Sequence, residues 1–406
     1  MSPAAAPDLA AATQHLLATG ARDLWYPVLP SWQLQQAPIG ITRLDERIVV
    51  WRDAEGAVHA LQDRCPHRGA RLSLGWNLGD RLACWYHGVQ VDGGGTVRAV
   101  PASANCPLEG KTCVKSYPAK EVAGAIFLWF GLEALAGAPP GVSSATPPAA
   151  LQLPEELVSD EYAHFLCMAN WRTSYRYAID NVMDPMHGAY LHAASHSMAE
   201  GDKRSEMRVR KTASGLVFEK VGQRGVNFDW VELGESGCLW LRLTIPYQTK
   251  YGPGGSFGIV GFATPVDETH CQVYFWRTRK VQGWQRDVWR FLYRNRLEGL
   301  HWQVLEQDRL VLEAMAPDAR EHEFLYEHDV GLARVRRMLE KRAAEQAKVW
   351  VARAGGVAAA ATVNVTLPVS SGAAGAATAT PATPATPMTP MTPMTPMTPA
   401  PSTEAR

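Results

Sequence analysis

The chain has 406 residues, 46% of them hydrophobic, with 40 Lys and Arg set against 40 Asp and Glu. That length suits two or three domains and that apolar fraction a sizeable core, while the even charge balance argues against a nucleic-acid or membrane-surface partner. Seven cysteines are too few and too odd a set for a disulfide framework, which points to a reducing, cytoplasmic setting. No Lys or Arg precedes Arg22, so no secretory n-region is read. The longest apolar run, GAIFLWFGLEALAGA, is broken by Glu133 and is too short to span a bilayer.

In chain order, residues 1–21 read as an N-terminal arm and 22–135 as an all-β domain. RIVVWRDAEGAVHALQD is two short strands around a D-A-E-G turn, GVQVDGGGTVRAV is a second hairpin, and VAGAIFLWFG is a buried strand. Residues 136–157, rich in Pro, Ala, Gly and Ser, read as a linker. Residues 158–353 mix helix and strand. Trp171, Tyr175, Ala178, Ile179, Val182 and Met183 recur at helical spacing, so one helix is expected across NWRTSYRYAIDNVMDPMH. Leu239, Leu241, Leu243 and Ile245 then alternate as one face of a strand, and CQVYFWRTR is another. Helices are expected from about Trp284 to Met315 and from Val330 to Arg353. From Pro381 to Pro399 a proline falls at every third position, the polyproline II period. Residues 354–406 therefore read as a disordered, dispensable tail. The fold class is α+β: a small β domain, then an antiparallel sheet flanked by helices.

Two stretches carry chemistry. CPHRGARLSLGWNLGDRLACWYH places Cys65 and His67 at one end and Cys84 and His87 at the other. Structural zinc usually takes a Cys pair and then a His pair, whereas here each loop supplies one of each. A [2Fe–2S] cluster of the Rieske kind needs that mixing, because one iron keeps two thiolates and the other takes two imidazoles. The neutral imidazoles make such a cluster easier to reduce, with potentials of roughly −150 to +300 mV across the class. The other five cysteines lack ligand spacing and read as packing.

The second stretch, DNVMDPMHGAYLH, holds Asn181, Asp184, His187 and His192. Steps of three put the first three on one side of a helix. His192 lies five on from His187, about 140° away on a straight helix, so both reach one metal only if the helix bends or ends between them. Pro185 and Gly188 supply a reason for such a break. By spacing alone His196, four on from His192, rivals His187.

Together the two motifs resemble the Rieske non-haem iron ring-hydroxylating oxygenases, over roughly residues 22–350. The resemblance implies a helix-grip catalytic domain and a mononuclear Fe(II) held by His187, His192 and a downstream carboxylate. EQDRLVLEAM fits that position and points to Asp308, with Glu306 and Glu313 as alternatives. It implies that Asp184 bridges His187 and the cluster ligand His87 of a neighbouring subunit without binding iron, within a homotrimer. It further implies a catalytic α subunit of the phthalate or phenoxybenzoate type, served by a separate flavin and iron–sulfur reductase drawing on NAD(P)H. The activity implied is dioxygenation of an aromatic, carboxylated substrate. Monooxygenation or demethylation by the same architecture and a bare electron carrier are the alternatives. Lys203, Arg204 and Arg208 are the candidate carboxylate anchors. EHEFLYEHD (321–329) reads as a charged connection and not a metal site.

Overall fold

The computed structural model describes residues 8–135, 149–195, 203–223, 225–247 and 255–363. His196, the Pro-rich repeat and linker residues 136–148 lie outside them. The N-terminal half is built from three small antiparallel sheets. Glu46–Arg52 pairs with Val58–Gln62 around the expected turn, and Arg81–Ala83, Gln90–Asp92 and Val97–Ala99 form the ladder that carries the second hairpin. Ala125–Phe130 is buried at every residue and pairs with Leu24–Pro30.

The C-terminal half is one seven-stranded antiparallel sheet. Its first strand, Tyr162–Trp171, pairs with its last, Cys271–Lys280. From there the order runs back through Gly255–Pro265, Leu239–Tyr247, Trp230–Glu235 and Gly215–Lys220 to Met207–Lys211. Alternation divides each strand between two cores. Leu241, Leu243, Val273 and Phe275 face the helices, whereas Trp240, Phe262, Tyr274 and Trp276 face Trp25, Phe127 and Trp129 of the N-terminal half. The two halves thus share an apolar layer. The N-terminal arm contributes a helix, Leu9–Thr19, capped by the Asp8 carboxylate on Ala11 N–H, and its Ala12, Leu16 and Leu17 enter the core on the helix side of the sheet. At the end of the linker, Glu155–Val158 is a single helical turn. The expected C-terminal helices appear as Trp284–Leu292, a π-helical step over Tyr293–Leu297, Glu298–Glu313, and Val330–Val363.

One buried charge cluster ties the start of the β half to its later strands and loops. Glu46 pairs with Arg22, which is fully buried, and with Lys115, and it accepts the Tyr117 hydroxyl. Burial alone would raise its carboxyl, but Arg22 and Lys115 overcome that and bring it down to about 2. A carboxylate depressed in the folded state stabilises fully above its unfolded value near 4.5 and loses that contribution as pH falls toward 2. Glu46→Gln strands the Arg22 guanidinium and should cost about 3 kcal/mol at pH 7. In urea melts at pH 7 and pH 3, the gap between wild type and variant should shrink at the lower pH. An unchanged gap would show that the ion pair is not its source.

Candidate metal centres

The two Cys/His loops have the same backbone form. The Cys65 carbonyl accepts from Gly69 N–H at 2.9 Å, and its own N–H donates to the Ala70 carbonyl at 2.7 Å. The Cys84 carbonyl accepts from Gly88 N–H at 2.9 Å, and its N–H donates to the Val89 carbonyl at 2.8 Å. Each loop closes on a glycine in the left-handed region, Gly69 at φ +80° and Gly88 at φ +70°. Both thiols are buried, at 2% and 1% exposure, while the His67 and His87 rings stand toward the surface, 4.7 Å apart edge to face. Burial pushes the Cys65 thiol up to about 11, so a thiolate there calls for a bound cation. His87 Nδ1 is buried without a hydrogen-bond partner. These donors fit a [2Fe–2S] cluster with thiolates on the inner iron and imidazoles on the outer. A [2Fe–2S] cluster divides its two ligand pairs between two irons, whereas a single zinc needs all its ligands gathered on one centre.

Among the described residues, His187, His192 and Asp308 do form such a tight group. The helix that leads to them is shorter than its periodicity suggests. It runs Tyr175–Val182 and stops, because Pro185 offers no N–H and Met183 takes φ −76°, ψ 1°. Asp184 and His187 therefore lie beyond the helix, not along one face of it, which corrects the expectation from spacing. The break falls before His187 and not after it. A single turn, Gly188–Leu191, then separates the two histidines, and their rings end 5.2 Å apart. Asp308 comes from Glu298–Glu313 and is buried.

The geometry fixes both histidine tautomers. His187 Nδ1–H donates to the Asp184 carbonyl at 2.5 Å, and His192 Nδ1–H donates to Gln307 Oε1 at 2.8 Å. Each Nε2 is left with a lone pair. Asp308 Oδ1 lies 3.1 Å from His192 Nε2 and 3.6 Å from His187 Nε2, buried and without a well-formed hydrogen bond. Two imidazole nitrogens and one carboxylate oxygen facing one point are the facial donor set that suits Fe(II). The rivals are engaged elsewhere. Glu306 pairs with Arg309, and Glu313 with Arg172 and Arg309. In the 321–329 stretch, Glu323 pairs with Arg336 and His328 donates to the Ser205 carbonyl.

Asp184 differs from expectation in detail. Its backbone carbonyl, not its carboxylate, takes the His187 proton. Carboxylate Oδ2 is 3.9 Å from His187 Nδ1, and Oδ1 accepts from Met186 N–H at 2.8 Å. Gln307 was overlooked as a partner of His192 although it stands beside Asp308 in EQD. The cavity next to the triad is walled by Phe228, Leu243, Ile245, Ile259 and Phe275, together with Arg277. Lys203, Arg204 and Arg208 do not line it. Lys203 lies over the Tyr190 ring and Arg208 pairs with Glu219.

Comparison with known proteins gives two family matches, a Rieske [2Fe–2S] domain over residues 24–118 and a vanillate O-demethylase oxygenase C-terminal domain over 171–345. The chain is 34% identical to a vanillate O-demethylase oxygenase subunit of Pseudomonas sp. strain HR199, over 45% of this chain and 48% of that one. It is 35% identical to the oxygenase component of dicamba O-demethylase from Stenotrophomonas maltophilia, over 44% and 49%. It thus spans about half the length of the curated relatives it matches. In fold it is similar to the terminal oxygenase of carbazole 1,9a-dioxygenase from Nocardioides aromaticivorans, with a TM-score of 0.65 and 20% identity over 82% of this chain and 98% of that one. No described helix is long and apolar enough to cross a membrane.

Proposed function

We propose that the chain, matched by a Rieske [2Fe–2S] domain and by a vanillate O-demethylase oxygenase C-terminal domain, is the oxygenase component of a Rieske-type system that oxidises an aromatic substrate. Cys65, His67, Cys84 and His87 would hold a [2Fe–2S] cluster that takes electrons from a separate NAD(P)H-dependent reductase, and His187, His192 and Asp308 would hold an Fe(II) that supplies O2 activation. The observation that carries this reading is the convergence of two imidazoles and one carboxylate on the end of an apolar cavity. Phe228 and Phe275 on its walls suit a flat ring, and the surrounding apolar side chains exclude water from the reacting carbon.

The match of the catalytic half to a vanillate O-demethylase domain favours transfer of a single oxygen atom, as in O-demethylation, over the cis-dihydroxylation expected first. The test is product analysis under labelled O2 with a reductase of the same class. One labelled atom in the product, or formaldehyde released in step with substrate, supports demethylation or monooxygenation. Two labelled atoms support dioxygenation, and no substrate-dependent O2 uptake across methoxylated and unsubstituted aromatics would overturn the assignment as an oxygenase.

A homotrimer belongs to the same proposal. The tip of the β half exposes Leu74, Trp76, Trp85 and Tyr86 around the imidazole ligands, at 52–64% exposure, a surface suited to burial against a neighbouring subunit. The Asp184 side chain is 31% exposed beside His187, open to a cluster arriving from that neighbour.

A further inference from the structure

Resting on the oxygenase reading, we infer that Arg277 anchors the carboxylate of an aromatic acid in the cavity next to the metal. Arg277 sits on Cys271–Lys280 in phase with Val273 and Phe275, the residues that face the catalytic-side core. A cation at that phase of the strand is out of keeping with its neighbours. It is 4% exposed, and its Nε and Nη1 are buried without a hydrogen-bond partner. No ion pair to it is present among the described residues. Its nearest ring contact is the Phe275 face, 5.2 Å from the guanidinium carbon. A buried guanidinium with unmet donors is costly, and a bound anion removes that cost.

The position of Arg277 specifies where that anion goes. The small space beside the triad and a larger cavity of about 330 Å³ share Arg277, Ile245, Ile259 and Val304 as walls. Arg277 therefore stands at their junction. Among the described residues the larger cavity has no Asp or Glu on its walls, and it carries a second cation, Arg296. Its volume suits a substituted single ring. A carboxylate on Arg277 would take two parallel N–H bonds from the planar fork, holding one edge of the ring while another carbon points toward His187, His192 and Asp308. This replaces Lys203, Arg204 and Arg208, which do not line either cavity, as the anchor.

The experiment is anaerobic calorimetry on the iron-loaded holoenzyme. The probes are a panel of methoxy- and hydroxybenzoates, each paired with its uncharged benzamide. Wild type should bind at least one acid at least tenfold more tightly than its amide. Arg277→Gln should abolish that preference while amide affinity stays within threefold, a separation that a merely structural arginine would not produce. Arg277→Lys, which keeps the charge without the fork, should retain part of the preference. It also covers the case in which the Gln variant does not fold. If no acid outbinds its amide in wild type, or the preference survives in Arg277→Gln or is lost equally in Arg277→Lys and in amide binding, the inference is wrong. O2 uptake with neutral aromatics, measured on the same preparation, separates this from failure of the oxygenase reading. Uptake without acid preference sinks the anchor alone, and acid preference without any uptake sinks the oxygenase alone.

Discussion

Asp308→Ala is expected to lose the mononuclear iron, keep the cluster, and lower turnover by at least about a thousandfold. The change removes one of three donor atoms and the carboxylate charge of the group, so the remaining imidazoles must hold a divalent cation in a buried pocket by themselves. Loss of a hydrogen-bonded supporting group typically costs about 10–100-fold in metal affinity or activity, and loss of a ligand should exceed that. The cluster lies in loops of the other half and shares no ligand with this site, so its visible absorption and acid-labile sulfide should be unchanged. Glu306→Ala and Glu313→Ala, which break surface pairs with Arg309, should keep iron and activity. Normal iron in Asp308→Ala, with loss in either glutamate variant, would reverse the ligand assignment.

Asp184→Asn should keep the fold, the cluster and most of the mononuclear iron, yet lose at least about 100-fold in turnover. The backbone carbonyl of residue 184 fixes the His187 tautomer, and a side-chain change leaves it in place. An amide oxygen can also still accept from Met186 N–H, so the local turn survives. What goes is the negative charge 3.9 Å from His187 Nδ1, on the exposed side where a neighbour's cluster is proposed to arrive. A carboxylate there raises the basicity of each imidazole it touches and couples the two centres electrostatically. Single-turnover experiments with pre-reduced cluster isolate this step from reductase binding. Wild-type rates in the variant would mean that Asp184 is a surface acid with a structural hydrogen bond.

Both clusters were legible because ligand chemistry restricts residue type as well as spacing. Alternating Cys and His has few uses other than two unlike irons, and His187 and His192 stand out in an otherwise apolar stretch. The helix around them was less legible. Apolar periodicity runs on through Met183, and only backbone sterics at Pro185 decide where hydrogen bonding stops, so Asp184 and His187 were placed on a helix that ends before them. Asp308 depended on resemblance, since three acids within eight residues cannot be ranked by spacing. Arg277 left a signal that was not taken up: in CQVYFWRTR it falls on the same alternate phase as Val273 and Phe275. Alternation alone could not say that this phase faces a cavity, because that depends on helices from distant sequence. The arm helix Leu9–Thr19 was missed for a related reason, since an Ala-rich segment has little pattern of its own and is stabilised by the core it docks on.

The central claim, two iron centres of different kinds in one chain, is tested most directly by metal and sulfide analysis of the purified protein. About three irons and about two acid-labile sulfides per chain are expected, with the reduced form giving the spectrum of an imidazole-ligated [2Fe–2S] cluster. Zinc in place of iron with no labile sulfide, or two irons with no third in protein that has all of His187, His192 and Asp308, would contradict it.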